Sequence, residues 1–131
     1  MPAESLNNQF TDWFLHGNND YTSAQLLFKN NGPSDNVAFF IQQAIEKYLK
    51  GYLLSKGWKL HKIHDLEVLV SEATRYDKTF TKYLDLARVI SAVYVESRYP
   101  AGPPKEYSNE KISEWLELTD KLIFVIKERT E

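Results

Sequence analysis

Cysteine is missing from all 131 residues, which excludes disulfides, thiolate metal centres and a cysteine nucleophile. Histidine is scarce, with three in the chain, so a metal centre built on imidazoles has few ligands to draw on. No window approaches the ~18 apolar residues of a membrane span. The N-terminal MPAESLNNQF lacks a basic segment followed by an apolar run. The chain therefore reads as soluble, unprocessed and cytoplasmic, with no membrane partner. An excess of positive charge is also lacking: 16 Lys and Arg stand against 18 Asp and Glu, a net charge of −2, which leaves no whole-chain footprint for generic nucleic-acid binding. No Gly-rich loop, P-loop, G-x-S-x-G elbow or H-E-x-x-H occurs.

What is present is a single domain's worth of chain, 1–131, with 43% hydrophobic and 26% charged residues. Its organising stretch is Val37 to Leu54. There Val37, Phe40, Ile41, Ala44, Ile45, Tyr48, Leu49, Tyr52 and Leu53 recur at spacings of three and four, predicting an α-helix with one broad apolar face that needs several partners. Gln43, Glu46, Lys47 and Lys50 form the opposite, solvated face, paired at i,i+4.

Before it, Leu6, Phe10, Trp13, Phe14, Tyr21, Ala24 and Phe28 mark a first helix from near Ser5 to Lys29. The weak helix formers His16 to Asn19 do not break it, because the apolar stripe keeps phase through Gly17. Asn30-Asn31-Gly32-Pro33 stops this helix, and Ser34 or Asp35 is placed to cap the next, which ends at a left-handed Gly57. Leu66, Leu69, Val70 and Ala73 predict a short third helix with His64 or Asp65 at its start. A fourth runs from about Thr79 to Ser97, with Tyr94 on its stripe, and Pro100 ends it. After the stiff Pro100–Pro104 loop, a last helix begins near Ser108 and buries Ile112, Trp115, Leu116, Leu122, Ile123 and Ile126. With no strand, no repeat and short turns, the fold class is all-α: an antiparallel up-and-down bundle of four main helices plus one short helix. Phe39, Leu86 and Val125 fall outside the main stripes and are expected at the surface, available for self-association.

Three places interrupt this pattern. Arg98 continues the inward stripe of the fourth helix, seven residues after Ser91. It needs an acceptor there, either an acid such as Glu46 or Asp20 or a bound anion, and its planar fork suits phosphate. In Lys62-Ile63-His64-Asp65-Leu66, His64 is a base or ligand on one reading and a cap or packed polar residue on the other. His61 and His64 have a two-histidine metal spacing but no clustered acids beside them, so no metal is assigned. His16 and Asp20 lie one turn apart, where the carboxylate is placed to orient the imidazole, or else makes a plain surface contact.

Taken together, four runs carry a resemblance: Trp13 with Asp20 and Ala24, Ala38 to Lys50, Lys62-x-His64-Asp65-Leu66-x-x-Leu69, and Ser97-Arg98-Tyr99-Pro100. In this order they resemble the HEPN domain family over roughly Trp13 to Lys127. The resemblance implies a bundle that is usually a homodimer, with a cleft near the dimer interface. Many members are metal-independent endoribonucleases, including toxins and defence proteins, that use an arginine followed four to six residues later by a histidine. Others are small prokaryotic proteins found beside or fused to a minimal nucleotidyltransferase, and these bind nucleotide or substrate. Arg98 matches the arginine, but positions 102 to 104 are Gly102, Pro103 and Pro104, and Tyr107 lies too far along to be the tyrosine modified in related toxins.

Without that histidine, Arg98 holds phosphate but nothing adjacent moves protons, so binding ranks above catalysis. The expected function is binding of a nucleotide or other phosphate-bearing ligand beside a nucleotidyltransferase-type partner, with no cofactor. Arg98 holds phosphate, and Tyr99, His64, Asp65, Gln43 and Lys47 line the cleft. The alternatives are a ribonuclease acting on RNA with a displaced histidine, His64 or His61, and a non-catalytic interaction protein.

Overall fold

The wide apolar face of Val37 to Leu54 becomes the middle of a five-helix arrangement because its partners approach from several sides. The computed structural model describes residues 3–59, 61–98 and 102–130, the side chains of 3–8 and 94–98 excepted; the expectations for Leu6, Tyr94, Tyr99, Pro100 and the Arg98 side chain lie outside the described residues. The helices are α1 (Ala3–Lys29), α2 (Ser34–Ser55), α3 (Leu66–Thr74), α4 (Leu84–Arg98) and α5 (Asn109–Thr130), with a 3₁₀ helix at Lys78–Tyr83. Among the described residues there is no strand, and no helix is long and apolar enough to cross a membrane.

α2 packs against α1, α3, α4 and α5. α1 runs antiparallel to it at close approach, made possible by glycine on each helix. A Cβ on Gly17 would lie 2.8 Å from the Tyr48 ring, and one on Gly51 would lie 2.6 Å from the Phe14 ring. That crossing explains why α1 is continuous through its weak segment: packing there outweighs the propensity penalty of about 1 kcal/mol for a helical glycine. α5 runs parallel to α2. Ser34 Oγ accepts from the Tyr107 amide at 2.8 Å near the two starts, and Lys56 Nζ donates to the Arg129 carbonyl at 3.0 Å near the two ends. Tyr21 ties α1 to α5 by donating to the Leu116 carbonyl at 3.1 Å. Burial, aided by the nearby Asp120 carboxylate, pushes its hydroxyl up to about 12.

Several local expectations change. Neither Ser34 nor Asp35 caps α2: the cap position is Pro33, with no side-chain cap, and its carbonyl takes the amides of Asn36 and Val37. Ser34 is engaged by the loop before α5 instead. Upstream, the stop after α1 is built as expected, with Asn31 left-handed at φ 58°. The fourth helix does not start at Thr79, because Asp77 caps a 3₁₀ segment whose three-residue period buries Phe80 and Tyr83 together. Leu86 is buried and Phe39 and Val125 are half-buried, while among the described residues Leu15, Leu26, Val68, Tyr76, Val89 and Phe124 are exposed. The largest departure concerns α2 itself. Its polar line is not solvated: Gln42, Glu46 and Lys50 are 0%, 5% and 3% exposed.

Candidate functional site

Gln42, Glu46 and Lys50 follow one another at i,i+4, which stacks them on one line of α2. Lys50 Nζ donates to Glu46 Oε2 at 3.1 Å, and Gln42 Nε2 donates to Glu46 Oε1 at 3.2 Å. Gln43 Nε2 donates in turn to Gln42 Oε1 at 2.6 Å. Trp13 of α1 closes the Lys50 end, with the ammonium 5.6 Å from the ring centroid, a cation–π distance.

His64 completes the cluster from a different part of the chain. Its Nδ1 lies 3.1 Å and 3.2 Å from the two Glu46 oxygens, and its side chain is 49% exposed. The linker delivers it by turning at Gly57, φ 90°, and running back beside α2 over a helical rise of about 15 Å. Around it, the linker is anchored at three points. His61 packs edge-on against Trp58 with centroids 4.9 Å apart. Asp65 caps α3, its Oδ1 accepting from the Glu67 amide at 2.9 Å. Ser91 of α4 donates to the same oxygen at 3.3 Å and accepts from the Leu66 amide at 2.8 Å. His64 is therefore fixed from below by α2 and from its flank by α4. The cluster presents one exposed imidazole on a buried Glu–Lys pair, an arrangement suited to ligand contact or proton transfer.

The sequence-predicted residues divide accordingly. His64 and Gln43 enter the cluster, and Asp65 borders it as a helix cap. Lys47 faces α1, where it pairs with Asp20, so the expected His16–Asp20 contact gives way to an inter-helix ion pair. Arg98 is the last residue of α4, two turns after Ser91. The two acids suggested as its partners, Glu46 and Asp20, are engaged by Lys50 and His64 and by Lys47. Glu46 and Lys50 were read as part of a solvated face, Glu46 otherwise only as an acceptor for Arg98, and Gln42 was not singled out. A signal existed: Leu53 follows Glu46 by one heptad on the same line of the helix. Among the described residues no group of three or more His, Asp or Glu side chains is placed to hold a metal ion.

A surface groove of about 540 Å³ lies elsewhere, between α4 and α5, lined among others by Val89, Val93, Lys105, Lys111 and Trp115. It contains none of the cluster residues.

The HEPN domain model matches residues 10–129. Among solved structures, TT1696 from Thermus thermophilus is 25% identical with a TM-score of 0.78, the alignment covering 92% of this chain and 98% of that one. ST0689, an archaeal HEPN homologue, is 20% identical with a TM-score of 0.74, covering 93% and 98%. Comparison with curated proteins yields no match. With the match spanning nearly the whole chain and the helical order shared, the chain belongs to the HEPN domain family.

Proposed function

We propose that this HEPN-domain protein binds a nucleotide or another phosphate-bearing ligand at His64, acting in the cytoplasm as a homodimer beside a minimal nucleotidyltransferase-type partner. The observation that carries the reading is the half-exposed His64 ring seated on the buried Glu46–Lys50 pair. A buried ion pair adds little net stability over well-packed apolar residues. This one lies within a single helix, so it does not bridge α2 to another element as a structural salt bridge would. A buried charge that orients an exposed imidazole supports a binding site. Arg98 supplies the phosphate fork in this reading, on the same helical line as Ser91, which touches the start of α3 beside His64. Tyr99, Asp65, Gln43 and Lys47 complete the surroundings, Gln43 by supporting Gln42 and Lys47 through its pair with Asp20.

The same contact favours a second reading, a metal-independent endoribonuclease with a displaced histidine. Cleavage at a 2′-hydroxyl requires a group that moves protons, and a carboxylate-anchored His64 supplies one where positions 102 to 104 do not. Incubating the protein with nucleotides and separately with labelled RNA, alongside Arg98→Ala and His64→Ala, tests both. Nucleotide binding weakened at least about tenfold by each change, one to two hydrogen bonds' worth, with RNA intact, is the expected result. RNA cleavage abolished by either change would replace binding with catalysis. No ligand, together with a large loss of thermal stability in Arg98→Ala, would leave an interaction protein in which Arg98 is a structural ion pair.

A further inference from the structure

A second line of residues runs along the side of α1 turned away from α2. Gly17 meets Tyr48 of α2 and, like Ala24, is buried, whereas Asp12, Leu15, Asn19, Thr22, Leu26 and Lys29 are all exposed. The two leucines are 61% and 56% exposed. The six residues follow one another at three, four, three, four and three positions, the heptad spacing of a helix that packs along a seam on another helix. The outer face of a surface helix ordinarily carries charges. Here Asp20 is the single Asp, Glu, Lys or Arg between Asp12 and Lys29, and it is turned inward to Lys47. Apolar side chains kept in the middle of a surface from which charge is missing are the composition of an interface core.

We infer that this face of α1 docks a second copy of the chain, the two α1 helices lying antiparallel about a two-fold axis midway between Asn19 and Thr22. The line reads charge, leucine, polar, polar, leucine, charge, and its two end charges are opposite in sign, so it complements itself when reversed. Leu15 then meets Leu26 of the partner subunit, Asn19 meets Thr22 of the partner subunit, and Asp12 meets Lys29 of the partner subunit. Each pair occurs twice, as an isologous contact requires. A parallel pairing would set Asp12 on Asp12 and Lys29 on Lys29, so like charges select the antiparallel one. The polar pair at the axis fixes the register at some cost in stability. A homodimer is part of the proposed function, and the seam deepens that reading by naming its face; ligand binding at His64 does not enter it.

Six residues a side bury less than the ~800 Å² per partner of a standard interface, so the dimer is expected to assemble at about 10–100 µM. Sedimentation equilibrium of the full chain up to about 1 mM reads it. Leu15→Asp, at an exposed position, is expected to be monomeric throughout. Asp12→Lys is expected to weaken the dimer about tenfold, two exposed ion pairs turned to repulsion, and adding Lys29→Asp to the same chain to restore it. The native chain has no cysteine, so disulfides report the register. Leu15→Cys and Leu26→Cys chains, mixed, are expected to cross-link to each other, whereas either alone stays uncross-linked because its two sulfurs lie about 16 Å apart along the seam. A wild-type chain that is monomeric at about 1 mM overturns the inference and the homodimer together, leaving ligand binding at His64 to its own test. A dimer that survives Leu15→Asp, mixed cysteines that fail to cross-link, or a charge swap that restores nothing overturns the face alone, with the homodimer standing on another surface.

Discussion

The Glu46–Lys50 pair is where a single residue has the largest consequence. Removing one member of a buried ion pair leaves the other charge uncompensated and costs about 3–5 kcal/mol, whereas replacing both with apolar residues of similar volume is often neutral. Lys50→Met is therefore expected to lower the unfolding free energy by about 3 kcal/mol, read from urea denaturation. The double change Glu46→Leu with Lys50→Met is expected to regain most of that loss, while nucleotide binding is weakened. A double variant that binds as tightly as the wild type would show that the pair serves only the fold. His64 and Asp65 were legible as special residues from their motif at the start of a short helix. Glu46 was not, because Gln43 and Lys47 beside it are only half-buried and the period alone does not say how wide the buried side is.

Between elements, the α1–α2 crossing depends on two hydrogens where other residues carry a methyl. By propensity alone, alanine at Gly17 or Gly51 would stabilise a helix by about 1 kcal/mol. At Gly51 the added Cβ would sit against the rigid Phe14 ring and 3.2 Å from the Phe10 carbonyl oxygen, and at Gly17 against the Tyr48 ring. Both substitutions are expected to destabilise by about 1–3 kcal/mol, the usual scale of overpacking, with Gly51→Ala the worse because backbone as well as side chain is in the way. Thermal melts of the two variants decide the sign. The start of α3 offers a second check at this scale: Asp65→Ala removes a cap and the Ser91 contact, and is expected to lose about 1 kcal/mol. The cap was legible in the sequence, as were the helices on either side of it. The 3₁₀ start of the fourth was not, because Phe80 and Tyr83 fit a three-residue and a 3.6-residue period equally well over so short a stretch.

At the scale of the molecule, the C-terminal end of α5 is tied back to the turn before the 3₁₀ helix. Arg129 Nε donates to Asp77 Oδ2 at 2.6 Å, and Lys56 holds the Arg129 carbonyl. Hydrogen bonds from the Thr79 side chain and amide, and then from Arg129, bring the Asp77 carboxyl down from 3.8 to about 2. A carboxyl whose value is lower in the folded state stabilises the fold above its unfolded value and loses that contribution as pH falls through the folded one. The melting temperature is thus expected to fall between about pH 4 and pH 2 through this group. Asp77→Asn is expected to lower it at neutral pH and to flatten that part of the acid profile. An unchanged profile in Asp77→Asn would remove Asp77 from the account of acid stability.

The sequence by itself determined the helices, their number, the apolar lines they bury and the stops between α1, α2 and α3, because periodicity, glycine and proline act over a turn or two of chain. It also carried the family, in motifs strung along nearly the whole length. Only the tertiary structure decided which polar residues leave water. Glu46 and His64 are eighteen positions apart and meet because the linker folds back along α2. Whether a carboxylate on a helix is a solvated charge or the anchor of a site depends on what packs over it, and that is a property of neighbours distant in the chain rather than of its own period.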